Sequence, residues 1–261
     1  MLKTLDFYFS LLKTSMRASM SKRGAFLIEA TLMVLNNLIF FSIWWIFFRE
    51  FKTVADWRFE DMIVLMGIGL GSYGLMGICF GGIKKLSLII LNGDLDPFMT
   101  QPKNVLLHIA GSKSYAKGWG HLITGLILLF SRGVVSPLYI PLTLLCILTG
   151  SIVFTSINII AHSLAFWMGS IENVSKKYCD ALFLFTLYPT NIYSGILQIV
   201  MFTIMPAGVI TFLPVELVRN FSWIQLLLFI CISMSFFLIA FLTFNAGLKR
   251  YESGNKFGVR L

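Results

Sequence analysis

Long apolar runs alternate with short polar segments along this chain. A helix needs about 20 mainly apolar residues to cross a hydrocarbon layer of roughly 30 Å. Six runs have about this length, at 25–48, 62–83, 119–135, 142–168, 195–213 and 223–247. The pattern therefore predicts an all-α membrane protein with six transmembrane helices in one domain, 25–247.

The division of the chain between 170 and 213 is ambiguous. Residues 181–213 are continuously apolar except where Pro189-Thr190-Asn191 interrupts them. In one division, 170–193 is an inner-side segment with an interfacial helix and 195–213 is the fifth span. In the other, the fifth span runs from about 178 to 191, and the region of Pro206 is a re-entrant hairpin on the far side. Both divisions have one membrane crossing in this region, so the segments that follow lie on the same sides of the membrane in either case.

The first 24 residues follow a different pattern. Apolar residues recur every three or four positions between basic ones: Leu2, Leu5, Phe9, Leu12 and Met16. A helix with this pattern has one apolar and one basic face, which is typical of a helix lying in the membrane interface. We expect an amphipathic interfacial helix over 1–24; the alternative is a frayed tail.

Composition and charge support a membrane protein and indicate its orientation. The chain is 57% hydrophobic and only 13% charged, which excludes an ordinary soluble globule. Its net charge of +9 comes from basic residues next to apolar runs, so we expect no nucleic-acid partner. With the N-terminus inside, 16 of the 21 Lys and Arg face the cytoplasm. This excess predicts a multi-pass protein of the cytoplasmic membrane with both termini, a loop at 84–118 and a tail at 248–261 inside.

The second span is rich in glycine. Gly67, Gly71 and Gly74 share one helix face, where another helix could approach the backbone closely. Gly69, Gly71 and Gly74 also match G-x-G-x-x-G, but no strand precedes them as a dinucleotide site requires. We therefore assign Gly67, Gly71 and Gly74 to helix packing.

Polar residues inside the spans are candidates for a translocation path, because burying them in lipid is costly. Glu29, Asn36 and Asn37 share a face of the first span, and Asn158 and His162 are one turn apart in the fourth. The alternative role is hydrogen bonding between helices, which we favour for Asn158 and His162. For Glu29, pairing with an interfacial Lys or Arg is an equal alternative.

We call the loop 84–118 the platform. It contains Asp94 and Asp96, the acidic residues whose spacing comes closest to a known metal-binding motif. Asn92-Gly93-Asp94 indicates a turn, Pro97 suits the first position of a helix, and Pro102 ends it. Asp94-Leu95-Asp96 matches a metal-binding DxD, but the platform has no third acid, so we favour a turn and helix cap. No P-loop or metal-ligand spacing of His or Cys is present in the sequence.

Short motifs in a particular order resemble the ABC-2 type permeases, and within them a subgroup of separate-chain permeases. The motifs are Gly93-Asp94-Leu95-Asp96, Gln101-Pro102, Tyr188-Pro189, Ile192-Tyr193, Met205-Pro206-Ala207 and Leu213-Pro214. The chain departs from the subgroup's pattern at Gln101, where a basic residue is usual, at Phe98-Met99, where leucines are usual, and at Val209-Ile210, where an aromatic is common.

The resemblance implies a transport subunit, most simply of an exporter, without its own ATPase site. A separate ATPase would hold ATP and Mg²⁺, this chain would bind no cofactor or metal, and a second identical or related permease would complete the transporter within membrane lipids. The residues that the resemblance assigns to ATPase coupling are Gly93, Asp94, Leu95, Asp96, Pro97, Phe98, Met99 and Pro102. The alternatives are a passive channel or membrane scaffold and, with less support, a membrane-embedded enzyme acting on lipids or sugar-lipids.

Overall fold

The computed structural model describes residues 2–53, 57–131 and 139–252, and it is helical throughout these ranges. We number the α-helices in chain order: α1 Leu2–Ser19, α2 Arg23–Glu50, α3 Phe59–Cys79, α4 Leu86–Leu91, α5 Asp96–Met99, α6 Val105–Gly111, α7 Ala116–Phe130, α8 Ile140–Ser163, α9 Ala165–Met168, α10 Glu172–Phe185, α11 Ile196–Val200, α12 Leu213–Arg219 and α13 Trp223–Leu248. A 3-10 helix, Gly81–Lys85, joins α3 to α4.

Four helical segments are long and apolar enough to cross a membrane: α2, α3, α8 continued by α9, and α13. Helix α7 is apolar but has 15 residues, about 22 Å at 1.5 Å per residue. The predicted span 119–135 extends past α7 into 132–138, which lies outside the described residues, as do 253–261 of the predicted tail. An all-helical, multi-pass membrane protein is confirmed, while the number six and the orientation remain predictions.

Helix α3 is the centre of the bundle, because 83% of its most apolar 18-residue window is buried. It packs against α7 and α8, and α2 packs on the outer side of α7. The corresponding windows of α2 and α13 are only 11% and 17% buried. Apolar side chains of these two outer helices therefore face away from the chain's own core.

The predicted fifth span, 195–213, is not one continuous helix. Helix α11 ends at Val200, a turn follows in which the Gly208 amide donates to the Met201 carbonyl at 2.8 Å, and a π-helix occupies Gly208–Phe212. Pro214, near the start of α12, has no amide hydrogen to continue an α-helical ladder, which favours the wider turn before it. Helix α10 lies before the interruption at Pro189 and a folded-back segment follows it, while the two divisions of this region both stay predictions.

The end of the bundle opposite the platform is held by an arginine cluster. Arg219 of α12 donates from Nε to Asp61 Oδ1 at 2.6 Å and from Nη1 to Glu216 Oε1 at 2.8 Å, and its Nη2 forms an ion pair with Asp61 Oδ2. Its guanidinium carbon also lies 4.8 Å from the ring centre of Trp57, which is fully buried. These contacts fix the folded-back segment to the start of α3.

The predicted N-terminal helix is present as α1, and it packs against the platform. The Tyr8 hydroxyl donates to the Cys79 carbonyl at 2.8 Å, and the Phe7 ring meets the His108 ring edge-on at 5.3 Å. Gly111 of α6 leaves room for Leu11, whose Cδ2 lies 3.0 Å from the place of an added Cβ. One face of α1 is therefore covered by the chain itself.

Candidate functional site

The platform has a defined conformation because local sequence signals determine its turns. Gly93 adopts φ +70°, which glycine accepts without a Cβ clash, and the Asp94 amide donates to the Ile89 carbonyl at 2.9 Å. Pro97 lies in the first turn of α5. Asn104 caps α6 by accepting a hydrogen bond from the Leu107 amide at 3.0 Å.

The inner side of the platform is anchored in the bundle by an apolar cluster. Leu95 is fully buried, and Phe98 packs against the same cluster from a partly exposed position. The cluster contains residues of the 3-10 helix, the platform, α8, α9 and α13: Ile83, Leu86, Ile90, Leu95, Leu106, Ile109, Ala110, Ile159, Ala165, Ala240 and Phe244. Leu95, just before α5, is therefore packed directly against the long helices α8 and α13.

The outer side of the platform carries only part of the predicted coupling set. Asp94, Pro97, Met99 and Pro102 are exposed, with Met99 44% exposed. Gly93, Asp96 and Phe98 are partly buried. Leu95 points into the apolar cluster, so it supports this surface and does not form it. The predicted segment thus has one residue facing the bundle and four facing outward.

The tail contributes a residue that sequence reasoning missed. The Tyr251 hydroxyl donates to Asp96 Oδ1 at 3.0 Å, and the two residues line a shallow cavity together with Met99 and Thr100. Burial, followed by the hydrogen bond to Asp96, raises the pKa of Tyr251. A single tyrosine in a basic tail provides no sequence signal for this contact.

An aromatic group joins α1 to the platform. The His108 imidazole contacts the ring of Phe98 edge-on at 4.8 Å as well as that of Phe7, and burial lowers the pKa of His108. Lys103 Nζ lies 4.9 Å from the ring centre of Phe7. The side chains of Phe7, Phe98, Lys103 and His108 therefore connect α1 to α5 and α6.

The polar residues proposed for a translocation path are separated by the fold. Asn37 is buried, and its Nδ2 lies 3.2 Å from His121 Nδ1 and donates to Thr124 Oγ1 at 3.3 Å. Glu29 and Asn36 are exposed on α2. Asn37 therefore connects α2 to α7, while the other two members of its predicted face lie on the outer surface of the helix.

The second polar pair also makes local and interhelical contacts. Asn158 is buried and donates to the Phe154 carbonyl of its own helix at 2.8 Å. His162 Nδ1 lies 2.9 Å from Ser87 Oγ of α4. The His162 contact joins two helices and connects α8 to the start of the platform, whereas the Asn158 bond stays within α8.

The three glycines of α3 lie at close helix contacts. A Cβ added to Gly67 would meet Leu129 Cγ at 2.5 Å, and one added to Gly74 would meet the Leu122 amide nitrogen at 2.4 Å, both on α7. A Cβ on Gly71 would meet Ile147 Cδ1 of α8 at 2.9 Å. The glycine stripe therefore faces α7 at both ends and α8 between them.

Among the residues that the structure describes, no three His, Cys, Asp or Glu side chains lie close enough together to hold a metal ion.

Comparison with known proteins identifies one family. The model of a family described as "ABC-2 family transporter protein" matches residues 32–255, which is most of the chain and includes the platform, three of the long apolar segments and α2 from residue 32 onward. No curated protein matches the chain.

Proposed function

The chain belongs to the ABC-2 transporter family, and from this premise we propose that it is the permease subunit of an ATP-driven exporter whose separate ATPase docks on the platform. Membership makes it a membrane transport component. The direction of transport, the ATPase and its docking surface are the proposed part. A second permease, identical or related, would complete the membrane unit.

The observation that carries this proposal is the two-sided construction of α5. Its outward side presents Pro97 and Met99, while Leu95, just before α5, is buried in a cluster shared with α8 and α13. A short helix held this way can receive a push on one side and transmit it to long helices on the other, because packed interiors resist compression. This arrangement supports coupling between a peripheral motor and the membrane helices.

The charge distribution supports a cytoplasmic platform. The platform carries five lysines, and the segments on its side of the proposed topology hold most of the chain's Lys and Arg. The end with the Arg219 cluster is then external. A cytoplasmic ATPase would therefore meet Asp94, Pro97, Met99 and Pro102, the exposed members of the predicted coupling set.

The test is purification of the tagged full chain from its native membrane in mild detergent, with mass spectrometry of the accompanying proteins. We expect a P-loop ATPase in roughly equal amount to total permease. Met99→Glu should release this ATPase, and Met20→Glu, at an exposed methionine between α1 and α2, is the matched control. A chain that purifies alone, even after cross-linking at the platform, would contradict the proposal and favour the channel or scaffold.

A further inference from the structure

Lys84 is a charged residue whose side chain points back into the helical bundle. Its Nζ donates to the Tyr73 hydroxyl at 3.1 Å and lies 4.3 Å from the Tyr73 ring centre and 5.7 Å from that of Tyr115. Tyr73 is six residues, or about 9 Å along the axis, inside the end of α3. The ammonium group is therefore held next to the apolar part of α3.

No carboxylate neutralises this ammonium group in the described part of the chain. Both ion pairs of the residues in 2–53, 57–131 and 139–252 involve Arg219, at the other end of the bundle. Asp180 of α10, one turn before Phe183, is exposed and forms no ion pair with Lys84. A cation at this depth is costly unless a partner compensates its charge.

The neighbouring hydroxyl has a hydrogen to donate. Tyr73 accepts the bond from Lys84, and in the described residues no acceptor receives its own O–H. A lysine ammonium has three N–H donors, of which Tyr73 takes one. Two different groups, the ammonium and the phenol, therefore have donors available at one place.

The surroundings are aromatic and partly exposed. The Tyr73 ring stacks on Phe183 at 4.0 Å and meets the edge of His121 at 5.2 Å. Tyr73, Lys84, Tyr115 and Phe183 are all partly exposed. A pair of donors beside an apolar, aromatic wall suits a molecule with a charged head and a hydrocarbon body.

We propose that Lys84 and Tyr73 bind the anionic head of an amphiphile, a phosphate or carboxylate whose oxygens accept from Lys84 Nζ and from the Tyr73 hydroxyl. The hydrocarbon part then lies against Phe183. The same chemistry is offered by an anionic membrane lipid and by an anionic amphiphilic substrate. If the bound amphiphile is a transport substrate, that role of the site rests on the proposed export function. The binding of an anionic amphiphile by Lys84 and Tyr73 does not depend on it.

The first experiment is a titration of the purified full chain, in non-ionic detergent and without ATP, with dodecyl phosphate. Dodecylphosphocholine, which has the same chain and no net charge, is the matched probe. We expect Lys84→Gln to weaken dodecyl phosphate binding about tenfold, as for loss of a charge-assisted hydrogen bond, and to leave the neutral probe unchanged. Lys52→Gln, at an exposed lysine outside the platform, should change neither.

Two further variants keep the test decisive if Lys84→Gln folds poorly. Lys84→Arg retains the charge and should retain the preference for dodecyl phosphate. Tyr73→Phe removes the hydroxyl but keeps the ring, so it should weaken dodecyl phosphate binding selectively. Equal binding of dodecyl phosphate by wild type, Lys84→Gln and Tyr73→Phe would overturn the proposal, as would equal affinity of wild type for the two probes.

The lipid and substrate sources are distinguished in nanodiscs of phosphatidylcholine with one-fifth phosphatidylglycerol. Native mass spectrometry reports the phosphatidylglycerol that stays bound to the chain. Less retained lipid in Lys84→Gln than in wild type identifies a lipid headgroup site. Equal retention, together with the loss of dodecyl phosphate binding, identifies a site for a free amphiphile. Neither result depends on ATPase docking, so the two proposals can fail separately.

Discussion

Tyr251 donates a hydrogen bond to Asp96 at 3.0 Å, which joins the tail to α5 across 155 positions of the chain. Asp96 is the first residue of α5, and Met99 ends the same short helix. The tail is thus attached to the helix that we propose receives the motion of the ATPase. This single hydrogen bond lies on the surface that we propose for ATPase docking.

The first prediction concerns the pH dependence of this bond. Burial and Asp96 raise the pKa of Tyr251 above its ordinary value of 10.0. The neutral phenol is the donor, so its stabilising effect is fully present below about pH 10 and disappears as the pH rises through the raised pKa. Tyr251→Phe should lower the free energy of unfolding by about 1 kcal/mol at pH 8 and by less in stronger alkali.

Unfolding of the purified chain in detergent at pH 8 and pH 11 measures this difference. Tyr139→Phe is the control, because the Tyr139 hydroxyl forms no hydrogen bond with the described residues. A Tyr251→Phe effect of the same size at both pH values would show that the phenolic proton does not matter.

The second prediction separates support from docking on α5. Leu95→Ala should lower the free energy of unfolding by about 2–5 kcal/mol, since it leaves a cavity in the cluster with α13. Met99→Ala should leave stability within about 0.5 kcal/mol, because Met99 is 44% exposed, and should weaken ATPase co-purification. Thermal unfolding and quantitative pull-down of each variant provide the two readouts. Strong destabilisation by Met99→Ala would place this side chain in the fold and not at a docking surface.

The third prediction tests the close contact of α3 and α7. An added Cβ at Gly74 would lie 2.4 Å from the Leu122 amide nitrogen, whereas one at Gly77 would lie 3.4 Å from the nearest atom, Gly118 Cα. Gly74→Ala should therefore destabilise the chain by about 1–3 kcal/mol because the α7 backbone must move. Gly77→Ala, in the same helix, is the matched control and should be tolerated. Equal melting temperatures of the two variants would refute the packing of α3 on α7.

The fourth prediction concerns the arginine cluster at the end opposite the platform. Asp61→Asn removes the charge that faces Arg219 and should lower the free energy of unfolding by about 1.5–3 kcal/mol, as for a hydrogen bond to a charged group. Glu60→Gln, at the exposed neighbouring position, should have little effect. A double-mutant cycle with Arg219→Gln measures the coupling of the pair, and a coupling near zero would show that the contact does not stabilise the folded-back segment.

The sequence was sufficient for features that depend on neighbouring residues. Apolar runs predicted four of the long helical segments to within a few residues, because length and hydropathy are local properties. Gly93 and Pro97 predicted the turn and short helix of the platform, since both restrict the backbone directly. Periodicity also predicted the amphipathic helix α1, found at Leu2–Ser19.

Features that depend on distant residues required the tertiary structure. The sequence could not show that Leu95 faces the bundle while Met99 faces outward, because α5 has too few turns for a pattern. Nor could it divide the apolar stretch before Leu213, where prolines and long-range packing select a folded-back segment over a straight helix.

The sequence alone determined a basic, multi-pass helical membrane protein with a structured polar loop, because composition, run length and turn residues act locally. Tertiary packing alone decided that Asn37 joins α2 to α7, that Tyr251 contacts Asp96 and that Lys84 turns back to Tyr73. The physical reason is that a polar side chain near apolar surroundings takes whichever partner the fold brings within about 3 Å. The sequence around such a side chain determines only that it needs a hydrogen-bond partner, and not which residue that partner is.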